Sequence, residues 1–301
     1  MTFDSQLMNR RRSLQTMFAL GAAAAAASCA KVVPQGLGIA IAPNRLTDSA
    51  VLNFALNLEY LEAEYYRLAV TGENLPAADI GPTPGGVVGG SRVSFTTPAV
   101  RELAMELAED ELAHVRYIRK EILGDLLVVP SRPSINFRDA FRAVGVAAGL
   151  GSNFDPFADE LSFLLGAFVF EDVGVTAYTG ASKLISENQK LESAAGILAV
   201  EGYHAGAIRT ELYMRGAEAR RSADGISAAR NQLDGSSSKD QGITSAGQSG
   251  ARANVVPSDP NAIAFPRHPE EVLRIVYLTP KDNVSEGGFF PEGVNGVVDV
   301  T

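Results

Sequence analysis

The sequence is poor in sulfur and in imidazole, and both shortages restrict its chemistry. Its 301 residues contain a single cysteine, Cys29, which excludes an intrachain disulfide, a cysteine-based zinc site and an iron–sulfur cluster. Only three histidines are present, His114, His204 and His268. Any chemistry that needs an imidazole must therefore use one of these three side chains.

Basic residues are fewer than acidic residues. The most apolar segment is itself interrupted by acidic side chains. Lys and Arg total 26 against 35 Asp and Glu, a net charge of −9, which argues against nucleic acid as a partner. Residues 161–180 are apolar apart from Glu171 and Asp172, and a charge at the centre of a bilayer is costly. We predict a buried core helix there and no transmembrane span. The sequence contains no glycine-rich phosphate loop, so we expect no nucleotide cofactor.

The first 30 residues have the composition of an export signal. Three arginines at 10–12 precede a short apolar run that ends in small residues. Residues 11–14 (Arg-Arg-Ser-Leu) resemble a twin-arginine signal, which exports folded proteins, with an ordinary secretory signal as the alternative. We predict an exported, periplasmic protein cleaved after Ala30. A lipid anchor at Cys29 is the second interpretation.

Apolar residues recur at helical spacing in four long segments after this leader. The predicted helices run from Asp48 to Gly72, from Thr97 to Gly124, from about Pro156 through Tyr178, and over residues 188–215. Residues 76–98 predict an irregular loop with a small hairpin. The long link before the third helix, with a short helical patch at 137–148, can cross a helical bundle.

The chain after Gly216 becomes polar and rich in glycine. We predict a bundle domain over residues 47–216 and a loop-rich C-terminal extension over residues 217–301. Apolar patterning returns at 271–277 and 287–291, so the extension is expected to pack back on the bundle.

Two of the three histidines lie in the same local motif, Glu-x-x-His. Residues three apart on a helix are neighbours on one face, so Glu111 with His114, and Glu201 with His204, can each hold one ion. These pairs, together with Glu171 and a first-helix glutamate, fall on the apolar faces of the predicted helices. Ionised carboxylates almost never enter a core unpaired. Two divalent cations would neutralise four carboxylates gathered there.

This combination resembles the ferritin-like superfamily, in which two helices each supply a Glu and two others each supply Glu-x-x-His. Residues 53–64, 173–178 and 287–296 are also similar to the ferritin-like proteins related to plant desiccation-related proteins. The resemblance covers about residues 47–300. It implies an all-α fold, a ferritin-like four-helix bundle with a long crossover and a C-terminal extension.

The resemblance also implies a site with two Fe or Mn ions. The implied ligands are Glu59, Glu111, His114, Glu171, Glu201 and His204. Glu62, one turn after Glu59, is the alternative first-helix ligand. Oxygen-rich ligation with one imidazole per ion suits iron or manganese.

Several neighbouring residues have plainer interpretations. Those predicted to lie on the solvent-facing surface are Glu64, Glu109, Asp110 and His268. Those predicted to be core aromatics are Tyr66, Tyr178 and Tyr203, and one of them is a candidate for hydrogen bonding to a ligand carboxylate.

Two functions are therefore expected. The first is a dimetal oxidoreductase, catalase-like or ferroxidase-like, whose partner is a small-molecule oxidant, O2 or H2O2. The second is a non-enzymatic, metal-binding envelope protein for desiccation or stress protection. A metal-free bundle with polar networks is the remaining interpretation, and the sequence leaves open whether the protein is a homo-oligomer.

Overall fold

The computed structural model describes residues 46–123, 126, 129–235, 238–245 and 252–301. The predicted export signal and Cys29 lie outside these residues. Within them, the helices are α1 (Asp48–Thr71), α2 (Pro98–Leu123), α3 (Phe137–Ala147), α4 (Glu160–Ala181), α5 (Asn188–Met214), α6 (Ala217–Leu233) and α7 (Pro269–Val276). The strands are β1 (Val87–Val88), β2 (Ile135–Asn136), β3 (Thr244–Ser245) and β4 (Arg252–Ala253).

Four long helices form the bundle, which confirms the predicted all-α fold. Helix α1 packs along α2 and α4 packs along α5, and the two pairs meet through α1–α4 and α2–α5 contacts. Helix α1 begins after Thr47, whose hydroxyl accepts a hydrogen bond from the Ala50 N–H at 3.2 Å. It ends at Gly72, whose φ of 79° is the left-handed conformation that closes a helix.

Helix α4 starts a few residues later than the sequence indicates. Asp159 accepts a hydrogen bond from the Ser162 N–H at 2.8 Å and therefore caps the helix at Glu160 rather than near Pro156. Of the described helices, α4 with its following turn is the one long and apolar enough to cross a membrane. However, 83% of its most apolar window is buried inside the protein, which fits a core helix.

The predicted hairpin in residues 76–98 is wrong. Strand β1 pairs in parallel with β2, with Val87 opposite Ile135 and Val88 opposite Asn136. A parallel pair needs a long crossover, and here α2 lies between the two strands. The partner comes from the link before α3, so residues 76–98 alone could not reveal it.

The extension contains more helix than the sequence indicates. The polar segment after Gly216 forms α6, which packs on α3, α4 and α5. Its buried stripe consists of small residues, Ala219 and Ala223, followed by Ile226. The high average polarity of the segment obscured this helical spacing.

The end of the extension lies directly on α1 and α4. Asn53 and Asn57 both donate to the Asn295 carbonyl, at 2.7 and 2.9 Å, and Asn57 accepts from the Asn295 N–H at 2.9 Å. Phe289 is fully buried, and its ring lies 5.0 Å from that of Phe170 on α4. These contacts hold residues 289–295 against the two helices.

Candidate metal centre

The bundle helices bring every residue of the predicted ligand set to one place. Glu59 and Glu62 from α1 both face the centre, although sequence reasoning treated them as alternatives. The ligand atoms fall into three overlapping groups, and within each group they lie within 4.8 Å of one another. The groups are Glu59, Glu111, His114 and Glu201; Glu111, Glu171 and His204; and Glu62, Glu111, Glu171 and Glu201.

Each imidazole faces two or three carboxylates, and one of these carboxylates is common to both. The Nδ1 atom of His114 lies 3.2 Å from Glu59 Oε2, 3.4 Å from Glu111 Oε2 and 3.7 Å from Glu201 Oε1. The Nδ1 atom of His204 lies 3.0 Å from Glu111 Oε1 and 3.5 Å from Glu171 Oε2. Glu111 therefore presents one oxygen to each imidazole and is shared by the two sets.

The oxygen and nitrogen atoms of this cluster that could bind a metal ion are buried. Among the described residues, eight of them have no hydrogen-bond partner. They are Glu59 Oε2, Glu62 Oε2, both oxygens of Glu111, His114 Nδ1, Glu171 Oε2, Glu201 Oε2 and His204 Nδ1. Buried polar atoms are normally paired, and carboxylate oxygens with neutral imidazole nitrogens are the donors that iron and manganese accept. The residues present therefore fit a metal-binding site.

Without a cation, burial favours the protonated form of four of the five carboxyl groups. Burial raises the pKa of Glu59 to about 7. Burial and the neighbouring carboxylates raise the pKa values of Glu62 and Glu201 well above the ordinary range. The pKa of Glu171 is also raised, mainly by burial. Five carboxylates cannot all ionise here without added positive charge.

Glu111 and the two histidines respond in the opposite direction. Burial alone would raise the pKa of Glu111, but its side-chain contacts with His114 and His204 outweigh burial and lower the pKa to about 2. Burial disfavours both imidazolium ions. The carboxylates around them nevertheless raise the pKa of His114 to about 11 and that of His204 to about 12. Without a cation, these shifts favour protons at the positions where metal ions would bind.

Three further side chains position the members of the cluster. The Tyr66 hydroxyl donates to Glu171, and the Tyr178 hydroxyl donates to Glu59. On the outer side, His204 Nε2 lies 3.2 Å from Asp110 Oδ2. A proton on Nε2 that is donated to this carboxylate leaves Nδ1 free to face the cluster.

Gly174 makes room for one of the carboxylates. A Cβ atom at this position on α4 would overlap the carboxylate of Glu201. This glycine lies one helical turn after Glu171, within the segment 173–178 that carries part of the family resemblance. Its missing side chain lets the α5 carboxylate reach the centre.

Some of the surrounding residues differ from the sequence-based expectations. Glu64 is fully buried rather than solvated, because it pairs with Arg132 and accepts from the Leu75 N–H at 3.1 Å. Tyr203 is 76% exposed and is not a core residue. Asp110 is partly exposed, as expected, yet its contact with His204 was missed because the partner lies on another helix.

The chain belongs to the family described as the ferritin-like domain, whose family model matches residues 47–214. It is 32% identical over 248 residues to the desiccation-related protein PCC13-62 of Craterostigma plantagineum, covering 75% of this chain and 76% of that protein. It is 29% identical over 270 residues to the ferritin-like catalase Nec2 of Nesocodon mauritianus, covering 83% and 84%. No solved structure gives a significant match.

Proposed function

We propose that this protein is a carboxylate-bridged dimetal protein, loaded with iron or manganese, that acts on H2O2 or O2 in the manner of a catalase. The observation that carries the proposal is the set of eight buried oxygen and nitrogen atoms around Glu111 that have no hydrogen-bond partner among the described residues. The similarity to a protein named a ferritin-like catalase supports peroxide as the oxidant.

The donor groups suggest how two ions would be held. His114, Glu59, Glu111 and Glu201 would hold one ion, and His204, Glu171 and Glu111 would hold the other. Glu62 lies close to Glu111, Glu171 and Glu201, of which the first two would hold the second ion. Five carboxylates against two divalent ions leave one negative charge, so one carboxyl group can keep a proton at neutral pH.

Bound Fe or Mn supplies the two-electron redox chemistry that the protein side chains lack. The chain contributes orientation, exclusion of water and proton storage. Tyr178 and Tyr66 hold two of the carboxylates in place, and Asp110 orients His204. Glu62 Oε2 is buried and unpartnered, and the raised pKa of Glu62 lets this oxygen hold a proton.

Glu111→Ala is the decisive variant, because it removes the carboxylate shared by both ion positions. We expect two Fe or Mn ions per native chain by elemental analysis and steady O2 release from H2O2. We expect loss of both ions and of turnover in Glu111→Ala. The matched control is Glu109→Ala on the exposed side of α2, which should retain both. A purified native protein without metal would refute the proposal.

The second candidate is a non-enzymatic role in desiccation or stress protection. The similarity to a protein named desiccation-related favours it. In that case the metal would stabilise the fold, and chelation would lower the melting temperature of a protein that never turned over peroxide. The peroxide assay on metal-loaded protein separates the two functions.

We further propose that the protein is exported in its folded state, after loading with metal in the cytosol. The basis is the resemblance of residues 11–14 to a twin-arginine signal. N-terminal mass spectrometry of the periplasmic protein should find a chain that starts at residue 31. A chain that starts at lipid-modified Cys29 would instead show a membrane anchor.

A further inference from the structure

A small recess lies beside the metal centre, between α1 and α4 and beneath the extension. Every residue in its wall is buried, and its volume is about 10 Å³, which is close to the space that one water molecule needs. The wall includes Leu58, Glu62, Val173 and Gly174 of the bundle and Val276 and Phe289 of the extension. The recess therefore admits only a molecule little larger than water.

Glu62 is the one polar side chain that the described residues place in this wall. Its Oε2 is enclosed and has no hydrogen-bond partner among them, so the 6% of Glu62 that remains exposed lies elsewhere on the side chain. Its Oε1 lies beside Gly174, because a Cβ atom on that glycine would be 3.5 Å from it. Both residues line the recess, and Oε1 is therefore the oxygen presented to it.

The recess adjoins the metal centre at Gly174. A Cβ atom there would overlap the carboxylate of Glu201, which belongs with Glu62 to one group of candidate ligand atoms. Because glycine has no side chain, no protein atom separates the recess from these two carboxylates at this point of the wall. A molecule in the recess lies next to both.

Glu62 also lacks the contacts that fix its neighbours. A tyrosine hydroxyl donates to each of Glu59 and Glu171, and an imidazole nitrogen lies 3.2 Å from the first and 3.5 Å from the second. Among the described residues, Glu62 has neither kind of partner. It is therefore better placed to bind a molecule in the recess than to hold an ion.

We propose that this recess holds the oxidant beside the metal centre, and that Glu62 is the catalytic residue that binds it by a hydrogen bond. The inference rests on the proposed function and narrows its substrate to H2O2. Unlike O2, H2O2 both donates and accepts, so it suits Glu62 whether or not the carboxyl group keeps its proton. The apolar walls disfavour a charged oxidant, and the volume excludes alkyl hydroperoxides.

The first test needs no metal. Crystals of the metal-free protein are soaked in methanol, a neutral probe that carries a hydroxyl and is close to H2O2 in size. We expect methanol in the recess, with its oxygen within hydrogen-bond distance of Glu62 Oε1. A recess that is empty or that holds only water would overturn the proposal, whatever the activity of the metal-loaded protein.

The second test fills the recess. Val173 lines it, whereas Val175 on the same helix does not. Val173→Ile adds one methyl group to this space and should lower kcat/KM for H2O2 at least about tenfold. Val175→Ile should match the native protein, and both variants should keep the native metal content by elemental analysis. Equal kcat/KM values in the two variants would overturn the proposal.

The opposite change at the same position separates a filled recess from a packing defect. Val173→Ala enlarges the recess and should retain the turnover of H2O2. A loss as large as that of Val173→Ile would show that disturbed packing, rather than exclusion of the substrate, lowers the rate, and it would overturn the assignment.

The third test separates the two glutamates of α1. Glu62→Leu removes the hydrogen-bonding oxygens at similar bulk and should lower kcat/KM for H2O2 at least about tenfold. It should keep both ions, because four carboxylates still neutralise two divalent cations. Glu59→Leu should lose metal. Loss of metal in Glu62→Leu would show that Glu62 is a ligand and would overturn the proposal.

The substrate class gives a check on the native protein, and the two proposals fail separately. Turnover of tert-butyl hydroperoxide should be at least about tenfold slower than that of H2O2, and comparable rates would overturn the recess as the substrate site. A metal-loaded native protein that releases no O2 from H2O2 would instead contradict the proposed function, and the methanol soak would still decide the recess.

Discussion

Two buried charged clusters lie on different faces of α4, and they are built differently. Glu171 belongs to the bundle centre, where five carboxylates face two imidazoles and eight of their atoms lack a hydrogen-bond partner in the part of the chain that the structure describes. The adjacent Asp172 belongs to a network beneath the extension, in which three arginines and three aspartates pair with one another. The extension network is nearly self-sufficient in charge, whereas the bundle centre is not.

This difference separates a structural ion network from an ion-binding site. Arg267 illustrates the first kind, because its guanidinium donates to Asp234, Asp240 and Thr176. Glu111 illustrates the second, because neither of its oxygens accepts a hydrogen bond from the described residues. Burial alone does not distinguish the two, but the balance of charges and the orphaned atoms do.

The largest effect on stability is expected from breaking the ion pairs of the extension network. Arg267→Ala leaves Asp234 and Asp240 without their shared cation, and breaking a buried ion pair costs about 3–5 kcal/mol. Urea denaturation of the metal-free protein should show this loss. The control is Arg138→Ala, whose exposed pair with Asp139 should contribute less than about 1 kcal/mol. Equal losses of unfolding free energy in the two variants would show that the buried network contributes no more to stability than an exposed ion pair.

Removal of metal should lower stability through the bundle centre and leave the extension network unchanged. A ligand present at a hundred times its Kd stabilises the native state by about 2.7 kcal/mol. We expect chelation to lower the melting temperature of the native protein and to leave that of Glu111→Ala unchanged. Differential scanning calorimetry with and without EDTA measures both, and an unchanged native melting temperature would contradict a bound ion.

The stability of the metal-free protein should fall as the pH rises from about 5. The pKa of Glu59 is raised to about 7, and those of His114 and His204 to about 11 and 12. The folded state therefore holds more protons than the unfolded state from about pH 4.5 upward, and stability declines with pH. Well below pH 4.5 the sign reverses, because the other carboxyl groups are then protonated in both states and the pKa of Glu111 is lowered to about 2.

Metal binding should show the opposite dependence on pH, since ions displace these protons. The difference in melting temperature between Mn-loaded and metal-free protein should widen from pH 5 to pH 8. Thermal denaturation across this range tests both trends. A metal-free protein that became more stable from pH 5 to pH 9 would show that the carboxylates and imidazoles are not coupled in this way.

The smallest expected effect compares two buried glutamates of α1. In the metal-free protein, Glu62→Gln should stabilise by about 1 kcal/mol, because it removes an unpaired acid from a crowded centre. Glu64→Gln should destabilise, because Glu64 pairs with Arg132. Chemical denaturation with EDTA present measures both changes, and the same sign for both would mean that partner charges do not decide the outcome.

Helical spacing and the Glu-x-x-His motifs were enough to predict the bundle and a cluster of acidic side chains inside it. Predictions failed where the partner was distant in sequence: Arg132 for Glu64, strand β2 for strand β1, and His204 for Asp110. Helix α6 was missed because alanines, rather than large apolar residues, form its buried stripe. Glu59 was preferred to Glu62 as the first-helix ligand, but both face the centre, and which of them binds an ion stays a prediction.

The shared position of Glu111 has a consequence for loading. The first ion to enter would fix this carboxylate in place for the second, and the negative charge left on the remaining carboxylates would still attract the second ion. Filling is therefore expected to be cooperative. Native mass spectrometry at substoichiometric manganese should show chains with zero or two ions and few with one. A redox-inert ion in either position would then silence the pair.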